Sequence, residues 1–455
     1  MSRRAADEDY LIGNDLFEDE QPEDPGEPDE AAEGSGRTAA RLADGSGFLI
    51  TDGPGAGSLT DESTGRDIRD VPPLPGRDNA LGGTLPLFII HRPHVYFDAV
   101  PRLLAQLHAA AEGNLALGVS SFQHAASPKS HADFTASCQA AAVRIIDPAG
   151  FIADPKDVRV NTPKSRALGW APHLRGGPVP VADLLDMQRE RGANLLLTSG
   201  RALDQSEPRE SAAAACDEGD DALAALKPGE RLALNLTLSA EWLCRPALLN
   251  ILLTELIENQ QFDTWYIRVQ WPSKPWTQPT DENLLAGYRR LAQVADDEDR
   301  RLLLPQTGLT GWLMLAWGAA GFGTGPFGSN QAFLEPSDFG KPGLERYFER
   351  QLLHFVERTD RRLITGDPGY SQCTCPYCRP LLATPAAAWS HKYAGLHYQY
   401  SAGLLAAQTA PAAAGRRGPH SAVGKAVRAA ARFADGKALT GNSAPSHLRT
   451  WDRLL

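Results

Sequence analysis

The chain has 455 residues, a formal net charge of −11 and 42% hydrophobic residues, enough to bury one large core or two average domains. No apolar run reaches the ~18 residues of a membrane span, and no signal-peptide core follows Met1, so neither a membrane protein nor a secreted one is expected. The acidity is local: residues 1–35 hold thirteen Asp/Glu against Arg3 and Arg4, and the remaining 420 residues are balanced.

Residues 1–80 are rich in Asp, Glu, Pro and Gly, with few large apolar groups. Such a stretch cannot bury enough surface to offset the entropy of ordering, so it is expected to be a disordered acidic tail. Its plainest use is solubility; a mimic of nucleic acid, or a shield for a basic groove, is the alternative.

From residue 81 the pattern changes. Eight short apolar runs follow, at 85–90, 115–120, 143–147, 194–198, 232–236, 265–270, 301–305 and 319–324. Continuous apolar runs of this length suit parallel strands covered on both faces. Amphipathic stretches lie between many of them, at 100–111, 181–191, 242–258 and 282–295. Eight strands alternating with helices predict an α/β fold, a (β/α)8 TIM barrel, over 81–410. An open doubly wound sheet is disfavoured because no G-x-G-x-x-G follows the first run.

After the eighth run a helix is expected over 344–357, and then a dense cysteine cluster within 370–400. Three of the six cysteines fall in Cys373-Thr374-Cys375-Pro376-Tyr377-Cys378, while Cys138, Cys216 and Cys244 stand alone. A C-x-C-x-x-C run lets three thiolates converge on one tetrahedral ion, and thiolates suit zinc. The fourth ligand comes from His391 or His397, which closes a structural Zn2+ site with no open position. Few cysteines and a metal-type cluster suit a reducing compartment, so the cytoplasm is the expected location. A helix is expected over 386–407. Residues 411–455 form a basic Ala/Gly/Pro-rich tail, in which 424–434 has the pattern of a short amphipathic helix that could contact phosphates.

In a barrel, chemistry sits at the C-terminal ends of the strands. Those positions carry His91, His94, His124, Asp147, Ser199-Gly200-Arg201, Gln270 and Gly323. Asp147 ends a strongly apolar strand, where desolvation would raise a carboxyl's pKa and suit it to proton transfer; an Asp that caps the turn before Pro148 is the plain alternative. Phe151 offers a ring for stacking, and Gln270 a donor and an acceptor for an amide- or purine-like edge.

In combination these features resemble the tRNA-guanine transglycosylases of the queuine and archaeosine type. Those are (β/α)8 barrels with a zinc insert near the end of the barrel, carrying C-x-C-x-x-C and a later histidine. Cys373, Cys375 and Cys378 match that motif, and His397 is the better match for the histidine. Asp147-Pro148-Ala149-Gly150-Phe151 is similar to the family's Asp-Ser-Gly-Gly-Phe, whose Asp is the general base. Gln188 to Asn194 resembles its Gln-x-x-x-Gly-Ala-Asp, and Val269-Gln270 its Val-Gln-Gly-Gly, in which Gln contacts the base. The order agrees from about 140 to 400.

The resemblance implies base exchange at a guanine-type nucleotide in tRNA or DNA, with a purine or deazapurine as the second substrate and a partner subunit or homodimer as the assembly. It implies Asp147 as general base, with Phe151 and Gln270 on the substrate. The family's nucleophilic Asp, however, aligns with Gly323. Asp204 and Glu335 are the other carboxylates near strand ends. The alternative expectation is therefore a non-catalytic zinc-containing barrel that binds nucleic acid or a catalytic partner.

Overall fold

The structure is a computed structural model, described here for residues 38–41, 48–51, 73–93, 95–152, 180–271, 277–327, 331–333, 345–383, 389–410 and 417–455. Two short strands, β1 (Thr38–Arg41) and β2 (Phe48–Thr51), pair antiparallel within the stretch expected to be tail. The rest of that acidic stretch up to residue 72 lies outside the described residues.

The barrel is entered through α1 (Arg77–Gly82), which begins ahead of the expected boundary at 81. Its Ala80 and Leu81 are buried among the inner side chains Leu87, Ile89, Leu303 and Ala320, so the helix plugs the floor of the barrel.

Eight parallel strands follow: β3 (Leu87–His91), β4 (Ala116–Phe122), β5 (Val143–Asp147), β6 (Leu196–Leu197), β7 (Leu232–Ser239), β8 (Thr264–Gln270), β9 (Arg301–Leu304) and β10 (Gly321–Thr324). They lie in the order β5-β4-β3-β10-β9-β8-β7-β6, so only β5 and β6 lack a strand neighbour on one side. Each of the eight predicted runs overlaps one of these strands, as expected for buried parallel strands.

The gap between β5 and β6 is bridged by Asn194, with backbone bonds from the Leu195 N–H to the Arg144 carbonyl at 3.2 Å and from the Gly150 N–H to the Ser199 carbonyl at 2.8 Å beside it. Asn194 donates its backbone N–H to the Arg144 carbonyl at 2.9 Å, and its Oδ1 accepts the Arg144 N–H at 2.7 Å. Its Nδ2 donates to the Ala142 carbonyl at 2.9 Å. The amide reproduces the donor and acceptor of a strand residue and makes the barrel nearly closed.

The helices outside the barrel are α2 (Val100–Ala111), α3 (Pro128–Ser137), α4 (Val181–Glu190), α5 (Pro208–Ala224), α6 (Glu241–Cys244), α7 (Pro246–Glu258), α8 (Glu282–Asp297) and α9 (Gly308–Met314). Strand side chains alternate. Phe88, Ile90, Leu117 and Val119 pack outward beneath the helices, whereas Leu87, Ile89, Val143, Ile145, Tyr266 and Leu303 fill the lower interior.

The last βα unit carries an insert. It holds strands β11 (Arg346–Glu349) and β12 (His354–Glu357), then α10 (Arg362–Thr365) and α11 (Cys378–Ala383). The unit is completed by α12 (His391–Ala407), which contacts α2, α9 and β3. The helix expected over 344–357 is thus corrected to an antiparallel strand pair in its described part. Aromatic and β-branched Tyr347, Phe348, Phe355 and Val356 favour strands, and Leu353 turns the chain with φ 48°.

The C-terminal stretch expected as a basic tail is folded: the helix expected over 424–434 lies within α13 (Arg417–Ala434), and α14 (His447–Leu454) follows. Val423, Val427 and Ala430 recur at i, i+4 and i+7 and are buried in the main core, with Leu448 and Trp451 from α14. The basic residues Lys425, Arg428 and Arg432 take the exposed face. Among the described residues no helix is long and apolar enough to cross a membrane.

Candidate metal centre and barrel mouth

The cysteine run sits at the start of α11, and α12 brings His397 to it from nineteen residues beyond Cys378. The Sγ atoms of Cys373, Cys375 and Cys378 and a ring nitrogen of His397 all lie within 4.8 Å of one another. Cys375 Sγ is 3.4 Å from Cys378 Sγ, and His397 Nδ1 is 3.3 Å and 3.2 Å from these two sulfurs. A tetrahedral ion with bonds of about 2.0–2.3 Å keeps its ligands roughly 3.5 Å apart, so the four donors fit one ion.

The surroundings orient the donors. His397 Nε2 lies 2.8 Å from the Phe348 carbonyl and donates to it, which leaves Nδ1 as the metal-facing nitrogen. The ring stacks on Tyr347 at 4.4 Å and 14°, and the Tyr347 hydroxyl is 2.9 Å from Cys378 Sγ. Both residues come from β11, so the insert supplies the surroundings and the barrel helix supplies the histidine. His391, the other candidate, begins α12 beside Pro326, Phe327 and Arg346 and is not among the four clustered groups. The solitary thiols differ: burial pushes Cys138 and Cys216 up to about 12 and Cys244 to about 11, which makes them poor nucleophiles.

In the barrel mouth, Asp147 ends β5 and is 1% exposed, desolvated as its sequence context suggests. It is not alone. Arg268 of β8, equally buried, donates from Nη2 to Asp147 Oδ2. The other carboxylate oxygen accepts the Ala149 N–H at 2.9 Å and Asn235 Nδ2 at 3.4 Å. Arg268 also donates from Nε to Gln306 Oε1 at 3.1 Å and from Nη1 to Thr237 Oγ1 at 3.2 Å. Its guanidinium carbon lies 4.7 Å from the centroid of Phe151, 5.4 Å from Phe122 and 5.5 Å from Phe333. A buried carboxylate without a partner would be costly, and Arg268 supplies the countercharge.

The backbone around the pair is held in uncommon conformations. Ala149 and Gln306 have φ of 57° and 49°, in the left-handed region that non-glycine residues avoid. Gly200, at φ 74°, passes so close to Asn235 that a Cβ there would lie 2.3 Å from Nδ2. Asn235 Oδ1, buried beside Asp147, has no donor among the described residues.

The remaining expected residues are placed as follows. Phe151 is half-buried and packs edge-on against Phe122 and Phe333. Gln270 is two residues beyond Arg268 on β8, hence on the same strand face one layer nearer the rim. Gly323 pairs with Ile89 in the interior, and an added Cβ would meet only ordinary contacts at 3.4 Å. Ser199 donates from N and Oγ to Glu218 of α5, at 2.6 Å and 2.8 Å. Asp204 is exposed, and its carboxylate accepts from Ser206 within its own turn. His91 packs against Phe122 at 4.7 Å, and His124 stacks on the same ring at 5.4 Å. His94 and Glu335 lie outside the described residues. At the inward upper positions of the described strands Asp147 is the only carboxylate.

Arg268, Asn235 and Thr237 were not foreseen. The signal for Arg268 was present: a lone cation within Trp-Tyr-Ile-Arg-Val-Gln has to find a partner once that strand is buried.

No protein-family model matches the chain, and no curated protein matches it. Among solved structures, a protein assigned as a fructose-1,6-biphosphate aldolase from Coccidioides immitis is 12% identical, over 72% of this chain and 88% of that one, with a TM-score of 0.32. That likeness carries no argument about function.

Proposed function

We propose that the protein is a divergent relative of the tRNA-guanine transglycosylases that holds a purine-type base at its barrel mouth without exchanging it. The observation that carries this is the Arg268–Asp147 pair. Base exchange needs one carboxylate to attack the sugar carbon and a second to move protons. Here Asp147 is committed to Arg268, Ala149 and Asn235, and in the motif alignment Gly323 takes the position of the family's attacking carboxylate. Binding elements remain: the half-buried Phe151 ring and the Gln270 amide, whose donor and acceptor suit a base edge. The left-handed backbone at Ala149 falls where the family motif has a glycine, which supports the relationship.

In this reading the Cys373, Cys375, Cys378 and His397 cluster holds a structural Zn2+. All four donors are protein groups, so the ion has no open position for chemistry and acts as a staple between the insert and α12.

The test is exchange of labelled guanine into bulk tRNA and DNA by wild type and Asp147→Asn, beside equilibrium binding of guanine and of the nucleic acids. The expected result is binding of guanine, weakened in Gln270→Ala, with no exchange by either protein. Exchange by wild type that Asp147→Asn abolishes would show an active transglycosylase and sink the proposal.

A further inference from the structure

The insert holds a polar cluster that neither the barrel mouth nor the four donor atoms account for. Glu349 of β11 is 3% exposed. Its Oε1 accepts Arg361 Nε at 2.8 Å and the Tyr370 hydroxyl at 3.1 Å. Arg361 Nη2 donates to the same hydroxyl at 2.7 Å, which closes a ring of three side chains. Arg361 stands between β12 and α10, and Tyr370 precedes the cysteine run. The ring therefore ties the strand pair to the chain that enters the run. Gln351 ties it again: its Nε2 donates to the Gly369 carbonyl at 2.9 Å, and its Oε1 accepts the Ser371 N–H at 2.7 Å.

Glu349 and Tyr370 take hydrogen bonds along the edge of the guanidinium and leave its face for Tyr347. The guanidinium carbon is 4.3 Å from the centroid of the Tyr347 ring. His397 stacks on that ring at 4.4 Å and 14°. Two groups at such distances cannot share one face, so the fully buried Tyr347 is held between guanidinium and imidazole. Tyr347 and Glu349 are two residues apart on β11 and share a strand face. A ring fixed on both faces has its hydroxyl fixed as well, and that hydroxyl lies 2.9 Å from Cys378 Sγ.

Three thiolates around a dication leave a net negative charge, which is costly in a buried place without donors. A thiolate has no proton to give, so the tyrosine hydroxyl is the donor in this contact. Hydrogen bonds to an ionised acceptor are the stronger kind.

We infer that Tyr347 is a positioning residue of the metal centre: its hydroxyl donates to the Cys378 thiolate, and Arg361, fixed by Glu349 and Tyr370, holds the ring where that bond forms. The inference rests on the zinc reading above and adds the side chains that set how firmly the ion is kept. The bond steadies the sulfur as an anion and keeps it aimed at the ion, as outer partners of metal ligands do.

The test uses the full chain loaded with Zn2+ and, separately, with Co2+, in wild type, Tyr347→Phe and Arg361→Met. Zinc release is followed with a coloured chelator, and the cobalt form by its sulfur-to-metal charge-transfer band. Tyr347→Phe keeps the ring between its two neighbours and loses only the hydroxyl. It is expected to weaken zinc binding by about tenfold or more. It is also expected to move the cobalt band to lower energy, because a sulfur without its hydrogen bond gives up electron density more easily. Arg361→Met is expected to release zinc faster than wild type, by a smaller factor. Faster release from Tyr347→Phe with an unmoved band overturns the hydrogen bond and leaves a packing role only. Zinc retention equal to wild type in Tyr347→Phe overturns the positioning role, and the same result in Arg361→Met overturns the clamp. A wild-type chain that takes up neither metal overturns the zinc reading itself, and is told apart from these results because it shows without any substitution.

Discussion

At the scale of single residues, the Arg268–Asp147 pair dominates the barrel mouth. Two charges, each 1% exposed, are tolerable only together. Removing one strands the other in a low dielectric at a cost of about 3–5 kcal/mol, whereas replacing both with apolar groups costs far less. Arg268→Met and Asp147→Ala are therefore each expected to lower the urea midpoint strongly, while the double variant recovers much of the loss. Additive losses in that double-mutant cycle would mean that the two side chains do not depend on each other. The pair also shows how far a single position can be read from sequence. Asp147 was recognisable as a carboxylate at the end of a buried strand, but its hydrogen-bonding freedom depends on a residue 121 positions away. Desolvation alone would have argued for a proton-transfer group; the guanidinium beside it changes what the carboxylate can do.

At the scale of elements, two features carry expectations of their own. The first is the closure between β5 and β6 by Asn194. Its amide is both donor and acceptor to Arg144 and Ala142, so Asn194→Asp, which keeps the size but loses the donor, is expected to destabilise by about 1–3 kcal/mol in urea unfolding. A change within about 0.5 kcal/mol would show that the barrel does not need this bridge.

The second is the pair of C-terminal helices. His354 of β12 is held neutral, pushed down to about 4 by burial, and its Nε2 meets the Asn442 carbonyl at 2.9 Å ahead of α14. His447 of α14 packs 5.3 Å from it, and burial holds its pKa low as well. A histidine with a depressed folded pKa leaves the unfolded chain binding more protons below about 6.5. Stability is thus complete above that pH and falls as pH drops from about 6.5 towards about 4. Urea unfolding across this window should show the slope, and His354→Gln should flatten it. An unchanged slope in the variant would place the acid sensitivity elsewhere.

At the scale of the whole molecule, the insert, α12 and the C-terminal helices are tied to a barrel that is otherwise complete. The cluster of three cysteines and His397 joins the insert to α12, and α12 is one of the helices around the barrel. Metal analysis is expected to find about one zinc per chain, lost in Cys375→Ser. Chelation should lower the melting temperature and expose the insert to protease before the barrel. A chain that folds with the same stability and holds no metal would refute the zinc assignment.

The division between what was legible and what was not follows the range of the interactions involved. The eight strands and the cysteine cluster are local patterns: a short apolar run specifies a buried strand by itself, and C-x-C-x-x-C brings its thiols together through its own turns. Local pattern thus specified the barrel, the place of the insert in its last unit and three of the four clustered donors. Local pattern misled at 344–357, where β11 and β12 pair with each other; at 424–434 it gave the helix but not its burial, since Val423, Val427 and Trp451 have a core to enter. Only the folded chain could bring His397 to the three thiols and bring Arg268 to Asp147 across the barrel. These are encounters between distant positions, and their energies depend on burial that no stretch of chain possesses until the barrel closes.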